Sequence, residues 1–83
     1  MPNVSSAKKR MRQARRRREQ NRIARSTLRT AIKKVRNAPA ESADAAYLEA
    51  ERLLDRAGRK RLIHPRAAAR SKRRLRRVVA GKN

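Results

Sequence analysis

Apolar positions along this chain recur at helical spacing in three places and show no period-two alternation. The clearest set is Ala43, Ala46, Tyr47, Ala50, Leu53, Leu54 and Ala57, whose steps of three and one mark one face of an amphipathic helix. Upstream, Ala24, Leu28, Ala31, Ile32 and Val35 form a second stripe. Downstream, Ala68, Leu75, Val78 and Val79 form a third.

Helix breakers separate the three stripes. From Ser5 to Ala38 there is neither Gly nor Pro, and Ala, Arg, Lys, Gln and Met dominate, all good helix formers. Ser5 or Ser6 can cap the start, and Pro39 ends the run because the residue before a proline is driven out of the helical region. A helix of some 30 residues is about 45–50 Å long. Ahead of Ala24 only Ala7, Met11 and Ala14 fall at helical spacing, a thin apolar stripe that Arg15 to Arg18 then interrupt. Pro39-Ala40-Glu41-Ser42 reads as a turn, with Ser42 as N-cap and Asp44 placed in the first turn, where the helix dipole favours an acid. Gly58 is expected just past the end of this second helix. Arg59 to His64 is the connection, and Pro65 fits the first position of a third helix, where its missing N–H costs nothing. Gly81 is expected to end that helix, leaving Lys82 and Asn83 frayed.

Three helices with short links predict an all-α fold, an antiparallel three-helix bundle forming one domain over residues 1–83. Second and third helices of about 15 residues, near 22 Å each, cover only about half of the first. The long N-terminal helix therefore projects beyond the bundle. Residues 23–80 would form the bundle, and residues 1–22 a basic extension that is marginal as an isolated helix and is ordered by an outside partner.

Composition sharpens this. Leu, Ile and Val number 13 of 83 residues and Phe is absent. That is about 16%, under the rough 20% at which a highly charged chain is expected to be disordered alone. Absence of Cys removes disulfides, thiolate metal sites and cysteine nucleophiles. A single His, with most of the acids in one helical segment, supports neither a catalytic triad nor a metal site. Two glycines cannot make a phosphate-cradling loop. No enzyme activity, cofactor or metal is expected. The N-terminus lacks a signal-peptide apolar stretch, and no run approaches the ~18 apolar residues of a membrane span, so a cytoplasmic location is expected.

Charge decides the class of partner. There are 27 Lys and Arg against 6 Asp and Glu, for a net charge of +21. Residues 1–38 carry +13, residues 39–57 carry −3 and residues 58–83 carry +11. Twenty of the cations are Arg, whose planar fork matches phosphate oxygens and stacks on bases. Lys8, Lys9, Arg10, Arg12, Arg15, Arg16, Arg17, Arg18, Arg22, Arg25 and Arg29 put cations on nearly every side of the first helix. Such a helix can touch phosphates in several directions, unlike a reader that keeps one face for a groove. The bland alternative is a solvated basic tail, but the helical spacing is unbroken. In the third helix Arg66, Arg70, Arg73, Arg74, Arg76 and Arg77 cover the faces away from the apolar stripe, with no acid after Gly58. Ordinary surfaces mix the two signs, so this helix is read as a second polyanion surface. The middle acids are expected to face away from the polyanion or to pair with Arg of neighbouring helices. Tyr47, the sole aromatic, lies on the second stripe and is read as core; alone it makes no stacking platform. His64 reads either as a turn residue before Pro65 or as a nucleic-acid contact at a helix start.

Two other partners fit less well. A basic-zipper DNA binder needs sustained heptads, and the first stripe spans under two before Pro39. A non-specific DNA-binding or nucleoid-associated protein remains the alternative. A membrane-active helix wants Trp, Phe or Leu across a wide face, and the N-terminal half offers only Met11.

Several pieces, in order, resemble one family. Ser6-Ala7-Lys8-Lys9-Arg10 is similar to the opening motif of the bacterial and plastid small-subunit ribosomal protein S20 family. Arg25-Ser26, Arg29-Thr30 and Ile32-Lys33-Lys34-Val35 resemble the end of its first helix. Leu62-Ile63-His64, followed by Ala67-Ala68-Ala69-Arg70-Ser71-Lys72 and Leu75, is similar to its Ile-His-x-Asn-x-Ala-Ala-Arg-x-Lys region. One departure stands out: Pro65-Arg66 replaces the family's usual Lys-Asn and implies a more rigid start to the third helix. The resemblance implies a non-catalytic, ribosome-bound protein that contacts 16S ribosomal RNA in its 5′ domain and the long stem near its 3′ end, among other small-subunit components. The expected RNA-binding set is Ser6, the eleven first-helix cations from Lys8 to Arg29 named above, His64, Arg66, Arg70, Lys72, Arg73, Arg74 and Arg77.

Overall fold

The computed structural model describes residues 4–82, and the expectations for residues 1–3 and Asn83 lie outside them. Three helices follow one another: α1 (Val4–Asn37), α2 (Ala40–Arg59) and α3 (Pro65–Lys82). The links are too short to cross the bundle, so α2 runs antiparallel to both neighbours. At 34 residues α1 is about 51 Å long, and the molecule measures 65 × 21 × 12 Å.

The core is thin and lies at one end. Leu28, Ala31 and Val35 of α1 meet Ala43, Ala46, Ala50, Leu54 and Ala57 of α2 and Leu75 and Val79 of α3. Ile32, Tyr47, Leu53, Leu62 and Ile63 pack around them, half-buried. Alanine supplies much of this contact, so the helices approach closely. The first stripe begins later than expected. Ala24 is exposed, and no side chain from Val4 to Thr27 is buried.

Helix ends also differ from expectation. Pro39, with φ −66° and ψ 160°, occupies the cap position of α2, and the helix starts at Ala40 rather than after Ser42. Ser42 lies inside the first turn, with its backbone N–H on the Pro39 carbonyl at 3.0 Å. The acid in that turn is Glu41, one turn ahead of Asp44. Ala40 and Glu41 are good helix formers, and they extend the helix up to the proline.

Gly58 is not the residue past the end of α2; it lies within the helix and is buried. Arg61 takes the left-handed conformation instead, with φ 57°. The Leu62 N–H reaches the Ala57 carbonyl at 2.9 Å and the Arg61 N–H reaches the Gly58 carbonyl at 3.2 Å, the paired bonds of a Schellman stop. Gly58 serves packing: a Cβ there would sit 3.3 Å from the Ala68 Cβ of α3. Pro65 opens α3 as expected. That helix runs through Gly81 to Lys82, which is anchored rather than frayed.

Candidate nucleic-acid interface

The projecting half of α1 carries the first cationic surface. Arg15 to Arg18 advance about 100° per residue and so encircle the helix. They and Ser6, Lys8, Lys9, Arg10, Arg12, Arg22, Arg25 and Arg29 are all exposed. Arg22 is held at 2.9 Å by Glu19, one turn earlier on the same exposed face. Arg25 marks the root of the arm, where its guanidinium reaches the Leu62 carbonyl of the α2–α3 connection at 3.5 Å. There the arm meets the connection that leads into α3, which places Arg25 at the same end of the bundle as His64 and Arg66. Arg15 lies about 15 Å further out along the helix axis.

On α3, Arg66, Arg70, Arg73, Arg74 and Arg77 are exposed, while Ala68, Leu75 and Val79 are buried. The buried stripe fixes the helix rotation and leaves the arginines no inward direction. Lys72 differs from them. Its ammonium donates to an Asp55 carboxylate oxygen at 2.7 Å and its side chain is only 24% exposed. That hydrogen bond raises the Lys72 pKa and holds the charge in place. His64 is exposed, and its Nδ1 accepts the Arg66 backbone N–H at 3.1 Å, so its imidazole caps the first turn of α3.

The acids of α2 bridge to both neighbours. Asp55 reaches Lys72 on α3, and Glu49 reaches Lys34 on α1 at 3.7 Å. Both partners are Lys where Arg was expected. Arg76 uses its Nε to donate to the Tyr47 hydroxyl at 2.7 Å, with its guanidinium 6.0 Å from the ring centroid. Burial pushes the Tyr47 phenol up, against the opposing effect of that hydrogen bond. The tyrosine is thus a core residue with a satisfied polar tip. Arg56 and Lys60, which are not in the expected RNA-binding set, stand with Gln20 and Asn21 around a groove at the arm root. Their signal is position: Arg56 in the last turn of α2 and Lys60 just past its end, at the start of the connection.

Among the described residues no group of three or more His, Cys, Asp or Glu could hold a metal, and no helix is long and apolar enough to cross a membrane. What remains is a class: a small all-helical cationic protein whose exposed arginines outnumber its internal partners. Sequence comparison gives the family. The model of ribosomal protein S20 matches residues 2–80. Small ribosomal subunit proteins bS20 of Gemmatimonas aurantiaca and Shouchella clausii are 55% and 46% identical, covering 96% and 98% of this chain and 95% and 97% of their own. That of Listeria monocytogenes is 50% identical over 90% of this chain and 93% of its own. The chain belongs to the ribosomal protein S20 family.

Proposed function

We propose that this chain is a structural component of the small ribosomal subunit, without catalytic activity, and that it binds 16S ribosomal RNA directly in the cytoplasm. The observation that carries this reading is the exposed, cation-encircled stretch of α1, which has no protein surface to pack on. RNA supplies that surface. Exposed cations on the arm and on α3 neutralise phosphates where separate RNA helices approach, in the 5′ domain and along the stem near the 3′ end. Recognition is chiefly of backbone and A-form shape. The bridging acids of α2 keep its face off the phosphates and orient the protein.

Salt dependence tests the reading. With about ten phosphate contacts on RNA stems, log K for 16S RNA falls by roughly nine per log unit of salt, taking the duplex value. A slope near zero overturns it. Competition at 0.2 M salt separates the DNA alternative: duplex DNA matching 16S RNA would favour a non-specific DNA binder.

A further inference from the structure

Of several shallow concavities on the surface, one lies at the root of the arm. Where α1 meets the end of α2 and the connection, a groove of about 460 Å³ opens. Ala24, Leu53 and Leu62 give it an apolar floor, with no aromatic or acidic side chain in its lining. Gln20 and Asn21 stand on the α1 wall, and Arg56 and Lys60 on the opposite one. The ion pairs among the described residues engage other side chains, so both cations face the groove uncommitted to an acid.

We propose that this groove receives one unpaired nucleobase of the bound RNA, with Gln20 and Asn21 on its edge, Arg56 against its face and Lys60 on its phosphate. The inference rests on the RNA-binding reading above and adds to it a base-reading site. Each feature matches a need of an extruded base. An apolar floor accepts the ring, which gains from leaving water. Side-chain amides offer a donor and an acceptor together, the pattern of a base edge. A guanidinium plane can stack on any base where no aromatic is present. Charge complementarity favours a nucleotide over a cationic segment of another protein. The basic run of α1 is broken by Glu19-Gln20-Asn21 where the groove begins; Glu19 is engaged by Arg22, which leaves the two amides to the groove.

The test uses the full chain, full-length 16S RNA and the variant Gln20→Ala/Asn21→Ala, whose exposed positions leave the fold intact by circular dichroism. Wild type is expected to protect the Watson–Crick edge of one unpaired base from chemical modification. The variant loses that protection alone and binds roughly 5- to 100-fold more weakly, the range of one good bidentate contact, with an unchanged salt slope. Equal affinity and an identical modification pattern overturn the base site while leaving the RNA-binding reading standing. Failure of wild type to bind 16S RNA overturns both. In a second arm, a photo-crosslinker at position 60 in reconstituted subunits should capture a nucleotide; capture of a protein chain overturns the proposal in favour of a protein occupant.

Discussion

The ammonium of Lys82 lies 2.8 Å from the carbonyl oxygen of Val35, at the far end of a different helix. It also donates to the carbonyls of Arg36, at 2.7 Å, and of Ala38. These acceptors belong to the last turn of α1 and the link after it, where intrahelical N–H donors run out, only the long 3.4 Å bond from the Ala38 N–H reaches Val35, and the dipole is negative. One side chain thus closes α1 and ties down the end of α3. Lys82→Met removes the donor and leaves carbonyls short of partners. The expected loss is about 1–2 kcal/mol, or about 4–8 °C in Tm per kcal/mol for a domain of this size. Thermal denaturation of the two chains checks it; an unchanged Tm would mean that water replaces the ammonium at no cost.

Alkaline pH should loosen the bundle between α2 and α3. The ordinary values are 10.5 for Lys72 and 10.0 for Tyr47, and both are raised in the fold. A raised value means the folded state holds the proton more tightly. The resulting stability is complete below the ordinary values and is lost as pH rises through the raised ones. Wild type should therefore be more stable than Lys72→Met at pH 7, with the gap closing above about pH 10.5. A gap independent of pH would show that Lys72 acts through packing alone.

Two substitutions at the end of α2 should act in opposite directions. Gly58→Leu forces a side chain against Ala68, whose Cβ would stand 3.3 Å from the new one. Ala68 has no flexible end to move aside, so α3 must shift, at about 1–3 kcal/mol. Arg61→Gly relieves a left-handed residue with φ 57° and should stabilise by up to about 1 kcal/mol, after the greater entropy that Gly loses on folding. Chemical denaturation of both variants decides; a neutral Gly58→Leu would contradict the close approach of the helices.

The arm should be separable from the bundle. Replacing Arg15, Arg16, Arg17 and Arg18 together by Ala touches no buried residue. It should leave Tm unchanged while flattening the salt slope for 16S RNA by about three to four. Hydrogen exchange gives a second measure. Amides of residues 4–22 should exchange freely in the free protein, because no side chain there is buried, and should become protected on RNA. Protection there equal to the bundle's, without RNA, would refute the role assigned to the partner.

Periodicity made most of the fold legible. All seven expected α2 positions are buried or half-buried, as are Leu28, Ala31, Ile32 and Val35 of α1 and all four positions named on α3. Ala24 misled because a methyl group at helical spacing carries little commitment. Its neighbour across the bundle is an open groove rather than a packed side chain. Gly58 misled for a related reason: a glycine before a connection can serve either a turn or a close crossing, and only the approach of α3 selects between them.

By itself the sequence determined the three helices, their order, the end that carries the core and the excess of +21 that calls for a polyanion. These follow from local propensity, spacing and charge, which need no knowledge of what lies across the bundle. Tertiary structure alone decided that Lys82 caps α1, that Asp55 takes Lys72, that Arg76 turns to Tyr47 and that Gln20 and Asn21 face Arg56 and Lys60 across a groove. Each joins residues on different elements. A cation's choice among water, an acid and an orphan carbonyl depends on which acceptor the packed helices bring within reach.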